Sequence, residues 1–277
     1  MLTESLDWVA ELREKVPAGA TVVDLGPGTG LARLAAENFA GTGVHYIEAG
    51  TADSRDALAQ GTPRETASQD WSVFAPAARV IDGRKVVETA FTRLTGRSPI
   101  LVGGMTPTTV EPEIVAAAAN AGHWAEMAGG GQVTEEILSD HLDRLGELLE
   151  PGRTAQFNAM FLDPYLWGLH FGSRRAVSKK RSAGAPLDGV VVSAGVPELD
   201  EAVELVERLR SEGFPYVAFK PGTVAQIRQV VQIARELNEK GADLPLIAMI
   251  EDGHAGGHHS WESLPELLLP TYAQLRE

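Results

Sequence analysis

The chain has 277 residues, 44% hydrophobic and 22% charged, and no cysteine. That is ordinary globular composition; it excludes collagen-like, coiled-coil and wholly disordered chains, disulfides and cysteine-ligated metal centres. Lys and Arg total 24 against 38 Asp and Glu, a net charge of −14 that repels nucleic acid and anionic membrane unless a local patch reverses the sign.

The length allows one to two domains, and we expect two parts, residues 1–97 and 98–277. The first opens with a charged amphipathic helix, about Ser5 to Lys15. This stretch lacks the apolar centre of a signal peptide, and no apolar run reaches the roughly 20 residues of a membrane span. A cytoplasmic location is the default expectation. A strand at 20–25 follows, then the turn Gly26-Pro27-Gly28-Thr29-Gly30 and a helix through Leu31, Leu34 and Ala35. A second strand is expected at 43–48, a linker at 50–75, a strand at 85–92 and a break at 96–99.

The second part repeats a strand, a glycine-bearing loop and a helix. Strands are expected at 99–102, 124–127, 154–160, 189–193, 216–219 and 246–250. Helices are expected at 113–121, 135–149, 199–212, 224–239 and 264–275. Val190-Val191-Val192 and Leu246–Ile250 are apolar throughout, as strands buried on both faces should be. Six such units suggest a doubly wound sheet or a (β/α)8 barrel, and a barrel reading leaves the chain two units short of eight.

Informative polar groups gather at the strand ends, where parallel α/β folds place ligands. They are Gly103-Gly104-Met105-Thr106, Gly129-Gly130-Gly131, Asn158, Ser193-Ala194-Gly195, Lys220-Pro221-Gly222 and the segment 251–260 with His254, His258 and His259. Glycines there let backbone N–H groups approach a flat ring or a phosphate, or simply build turns. The histidines suit proton transfer, metal ligation or a structural role; adjacent His258 and His259 point different ways and suit a shared metal poorly. Lys220 can hold a phosphate, stabilise an anionic ring, form a Schiff base or pair with Glu126 or Glu251. Arg174-Arg175 with Lys179-Lys180-Arg181 reads as a solvated loop or a docking patch for an acidic partner or phosphorylated cofactor. The turn after Asp24, with Glu48 ending the next strand, looks like the first motif of Rossmann-type methyltransferases, or is a tight turn without ligand.

Pro99-Ile100-Leu101-Val102-Gly103-Gly104-Met105-Thr106-Pro107-Thr108-Thr109-Val110 resembles the start of the enoyl reductase domain of type I fatty acid synthases, fungal β subunits and single-chain bacterial enzymes alike. So do Asn120–Gly122 through Ala128–Gly131, Ser193–Pro197, Phe219–Gly222 and Gly256–Glu262, and Asp24–Gly28 with Gly41–Gly43 looks like the segment preceding that domain. The resemblance implies an α/β fold: an FMN-type TIM barrel, here its first six or so βα units, preceded by a small α/β segment. It implies FMN and NADPH as cofactors and a trans-2-enoyl chain on acyl carrier protein as substrate; from the histidine pattern no metal is expected. The other synthase domains would be partners, in a homo-oligomer. By resemblance Gly103, Gly104, Met105, Thr106, Asn158, Ala194, Gly195, Lys220, Gly256 and Gly257 line FMN. His258 is the preferred catalytic residue and His259 the alternative. Gly253-His254-Ala255 departs from the more glycine- and arginine-rich fungal pattern. With later strands absent, the 277-residue chain by itself is expected to bind FMN weakly or not at all; a non-catalytic scaffold is the alternative reading.

Overall fold

The computed structural model describes residues 14–17, 19–25, 35, 44–49, 75–81, 83–242, 244–255, 259–268 and 271. The chain divides into two compact units, Met1–Pro76 and Ala77–Glu277. In the first, strands β1 (Thr21–Asp24) and β2 (His45–Glu48) pair in parallel, Thr21 beside His45 and Asp24 beside Glu48. Both fall within the expected ranges. The Gly26–Gly30 turn, the helix after it apart from Ala35, residues 50–74 of the linker and all but 14–15 of the opening helix lie outside the described residues.

The second unit begins with an antiparallel hairpin, β3 (Ala77–Ile81) and β4 (Arg84–Glu88). The strand expected at 85–92 therefore ends four residues early. Thr89 starts a helix instead, α1 (Ala90–Thr95): its Oγ1 accepts from the Thr92 N–H at 3.1 Å, and Thr92 Oγ1 accepts from the Thr89 N–H at 2.8 Å. This reciprocal cap satisfies two N–H groups that the first turn would leave unpaired. The part boundary expected at 97/98 falls inside this unit, because Phe91 and Arg97 pack beneath its main sheet.

That sheet holds six parallel strands side by side in chain order: β5 (Leu101–Val102), β6 (Trp124–Ala128), β7 (Ala155–Met160), β8 (Leu187–Ser193), β9 (Tyr216–Phe219) and β10 (Leu246–Ala248). A doubly wound sheet would reverse strand order at a switch point; this curled sheet does not. The connecting helices are α2 (Pro112–Asn120), α3 (Glu135–Leu148), α4 (Pro164–His170), α5 (Ala176–Ser182), α6 (Leu199–Ser211) and α7 (Val224–Glu239). Residues 264–268 are helical. Helices α4 and α5 were not expected; α4 starts at Pro164 with Asp163 Oδ1 accepting from the Tyr165 and Leu166 amides. Lys179, Lys180 and Arg181 lie on α5, not in a loop.

Strand side chains alternate between faces. Met127, Phe157, Val190, Val192, Val217 and Phe219 pack under the helices in the larger core. Trp124, Val191, Tyr216 and Ala218 form a second core on the other face, joined by Phe91, Ile247 and Met249. Burial on both faces makes these strands continuously apolar, which is why they are legible. The exceptions on the second face are Glu126, Gln156, Asn158 and Ser193, all buried.

Candidate functional site

The interior polar residues fall into two groups. Near the amino ends of the strands, Arg97 Nη2 donates to Asp188 Oδ1 and Oδ2 at 3.0 and 2.8 Å and to Thr154 Oγ1 at 2.7 Å, while Nη1 donates to the Tyr216 hydroxyl at 2.5 Å. Tyr216 donates in turn to Asp188, as does Gln156. Burial, then the Asp188 charge, pushes the Tyr216 phenol well above its usual pKa. The Arg97 guanidinium also lies over the Trp124 ring. Phe91 and Arg97 thus close this end.

At the carboxyl ends the sheet opens on a cavity of about 400 Å³. Beneath it Glu126 is fully buried and accepts three hydrogen bonds: from Trp124 Nε1 at 2.7 Å, the Gly104 N–H at 2.8 Å and Asn158 Nδ2 at 2.6 Å. Ser193 Oγ donates to Asn158 Oδ1 at 2.5 Å. An acceptor-only position with three donors suits a carboxylate, and bonds to a charged acceptor are the stronger class. The network fixes the amide orientation of Asn158 and clamps the loop after β5. Gly104 is required there, since a Cβ would stand 2.5 Å from Asn158 Cβ.

Five of the ten expected cofactor residues line this cavity: Gly104, Met105, Thr106, Asn158 and Lys220. Ser193, Met160, Asp163 and Leu166 also line it. Ala194 and Gly195 follow the lining residue Ser193, both at positive φ, 53° and 118°. A left-handed alanine costs about 1 kcal/mol, and such strain collects at functional loops. Lys220 Nζ pairs with Glu251 Oε1 at 3.0 Å, which selects Glu251 from the two expected partners. The lysine's side chain is 10% exposed, so its charge sits at the cavity wall.

Among the described residues the histidines are not brought to the cavity. His254 is exposed and faces Asp252, whose carboxyl is held below its ordinary pKa first by the His254 backbone N–H. His259 Nδ1 lies 2.7 Å from the Ser260 carbonyl, so that nitrogen carries the proton. Gly256, Gly257 and His258 lie outside the described residues. Among the described residues no cluster of three His, Asp or Glu is placed to hold a metal, and no helix is long and apolar enough to cross a membrane. A different histidine, His170, is buried under the Gly129–Gly131 turn with Nε2 at 2.9 Å from the Gln132 carbonyl. Burial pushes its pKa down, leaving a neutral ring.

Sequence reasoning weighed Glu126 only as an ion-pair partner and passed over Met160, Asp163 and Leu166. One signal was present: a lone carboxylate inside Trp124-Ala125-Glu126-Met127-Ala128 must find donors when buried.

The fold and cavity define a parallel α/β protein with a cavity at the carboxyl ends of strands in chain order. Sequence comparison narrows the class. A family model described as "Fatty acid synthase subunit beta/Fas1-like, helical" matches residues 245–277. The Saccharomyces cerevisiae fatty acid synthase subunit beta is 34% identical over 270 residues, covering 92% of this chain and 13% of its own length. Emericella nidulans fatty acid synthase beta subunit aflB is 33% identical, covering 98% of this chain and 13% of its own. The Aspergillus oryzae fatty acid synthase subunit beta is also 33% identical, covering 99% and 13%. Over nearly all of its own length the chain is similar to fungal fatty acid synthase β subunits, and it spans one stretch of about 13% of these relatives' length. A solved structure, the carboxyl transferase domain of Rhizobium etli pyruvate carboxylase, matches 60% of this chain and 30% of its own at 13% identity and a TM-score of 0.34, a level from which no shared architecture follows.

Proposed function

We propose that the strand-end cavity is an FMN site and that this chain carries the enoyl reductase chemistry of a fatty acid synthase, within an FMN-type barrel. The reaction is NADPH-driven reduction of a trans-2-enoyl chain presented by acyl carrier protein. The observation that carries the reading is the Glu126–Asn158–Ser193 network under a cavity walled by Lys220 and the loop after β5.

The residues suit the flavin ring of that group. A volume of about 400 Å³ lies within the range of small-molecule sites, roughly 300–1,000 Å³. Met105, Met160 and Leu166 offer apolar contact to a flat ring, while Thr106, Asn158 and Ser193 offer hydrogen bonds at fixed places. Gly103 leaves its backbone open, since a Cβ there would meet nothing within 4 Å. FMN, when bound, supplies the hydride transfer that side chains cannot. The protein's part is positional and electrostatic. Glu126 locks the Gly104 amide and the Asn158 side chain before any ligand arrives, so no reorganisation is required on binding. Lys220 contributes positive charge that favours an electron-rich ring, moderated by Glu251. The proton for the substrate α-carbon is assigned to His258, with His259 as the alternative; both assignments rest on the resemblance. Acyl carrier protein and the remaining synthase domains are the proposed partners, and the assembly a homo-oligomer in the cytoplasm.

Quenching of flavin fluorescence tests the reading. Riboflavin, the same ring without the phosphate, titrated with the chain should quench weakly but saturably up to millimolar concentration, and Lys220→Met and Gly103→Val should weaken that binding. Identical affinity in both variants, or quenching lost here and not restored in a chain extended past residue 277, would remove the flavin assignment.

A further inference from the structure

A second cavity, of about 680 Å³, lies at the other end of α4. Asp163 and Leu166, at the start of that helix, line the first cavity, while Gly172 and Ser173, just past its end, line the second. Seven helical residues span about 10 Å. The second cavity is lined by Arg174, Arg175, Lys179, Ser173, Ser178, Ser182 and Glu212. Three cations therefore face one carboxylate, on a chain whose net charge is −14.

The basic residues of this segment divide by use. Lys180 pairs with Asp143 at 2.6 Å, and Arg181 donates to the Gly213 carbonyl while lying over the Phe214 ring. Those two hold α5 in place. Arg174, Arg175 and Lys179 have no ion-pair partner among the described residues, and all three are exposed. Arg174 stacks loosely on Tyr165. Arg175 stands at a left-handed φ of 51°, an unusual conformation for a bulky side chain. Its charge is felt nearby: after burial, Arg175 is the next cause of the lowered pKa of Arg208. Ser178 supplies an independent observation. It is 6% exposed and lines the cavity, while its Oγ, shut off from the surface, has no hydrogen-bond partner among the described residues, so a turn about χ1 brings it to a ligand. A buried hydroxyl without a partner carries a desolvation cost that a ligand oxygen would relieve.

We propose that this cavity binds a phosphate monoester, its dianion held by Arg174, Arg175 and Lys179, with Ser178 Oγ donating to a phosphate oxygen. Guanidinium forks match phosphate geometry, and charge-assisted bonds to it are strong. Glu212 stands in the same wall with its Oε2 buried and without a partner. The assignment is independent of the flavin reading, because it uses none of the residues of the strand-end cavity.

Titration calorimetry of inorganic phosphate into the full 277-residue chain tests it. The expected result is one saturable site, weakened about tenfold by Arg174→Gln and by Lys179→Gln, one charge-assisted bond each. Both residues are exposed and outside the core, so both variants fold. Adenosine 5′-monophosphate separates the sources: binding tighter than inorganic phosphate marks a nucleotide ligand, and equal binding marks free phosphate or a small monoester. No saturable binding, or affinities unchanged in both variants, overturns the proposal. Riboflavin, which has no phosphate, should leave this cavity untouched, so failure here and failure of the flavin reading register separately.

Discussion

The two ends of the interior face of the sheet use the same materials for opposite ends. At the amino end, Arg97, Asp188, Tyr216, Gln156 and Thr154 satisfy one another, and Phe91 seals them in. At the carboxyl end, Glu126, Asn158 and Ser193 are equally buried and equally bonded, yet their network stops at a cavity. Burial and hydrogen bonding therefore do not separate the two networks. What distinguishes them is whether the last member faces protein or open space. Trp124 touches both: its ring packs at a tilt against Phe91 and Tyr216, and it donates its indole N–H to Glu126.

Substitutions at the two ends should separate accordingly. The largest stability loss is expected for Asp188→Ala, which strands a guanidinium whose side chain is 9% exposed. Breaking such a pair costs about 3 kcal/mol. Denaturant unfolding should show it, with the FMN affinity of the folded fraction unchanged. Glu126→Gln is expected to cost less, about 2 kcal/mol, since one carbonyl acceptor survives and the charge is lost. It should also weaken FMN, because the Gly104 amide and Asn158 lose their anchor. If Glu126→Gln altered stability alone, both ends would be structural and the comparison would collapse. Lys220→Met should cost about 1 kcal/mol in unfolding, as Glu251 is 27% exposed and can hydrate. The same variant should lower FMN affinity about tenfold.

The smallest effect is a pH dependence. His170 has a folded pKa below its ordinary value of 6.5, through burial first, partly opposed by the Gln132 carbonyl and Asp163. In the window below 6.5 the unfolded chain binds the proton that the folded chain refuses, so stability falls as pH drops through that window and is fully present above it. Thermal melts from pH 7.5 to 5 should show the decline, and His170→Gln should flatten it.

Most of the parallel sheet was legible because its strands are buried on both faces and read as apolar runs bounded by glycine. Helices α6 and α7, with 13 and 16 residues, were legible from their periodicity. The failures have local causes. Thr89-Ala90-Phe91-Thr92 alternates like a strand, but two threonine hydroxyls cap a helix there. The helices α4 and α5 have seven residues each, too short for a periodic pattern to show. At the site, glycines and Lys220 could be read from their place after strands. The role of Glu126 could not, because its partners Gly104 and Asn158 lie 22 and 32 residues away along the chain.

The most direct test of the central claim is amide chemical-shift mapping of the chain with riboflavin, which carries the flavin ring and no phosphate. The account predicts saturable shifts at Gly103–Thr106, Asn158, Ser193–Gly195 and Lys220, with the amino-end residues Arg97, Asp188 and Tyr216 unmoved. No shifts at millimolar riboflavin, or shifts confined to residues outside the strand-end cavity, would contradict it.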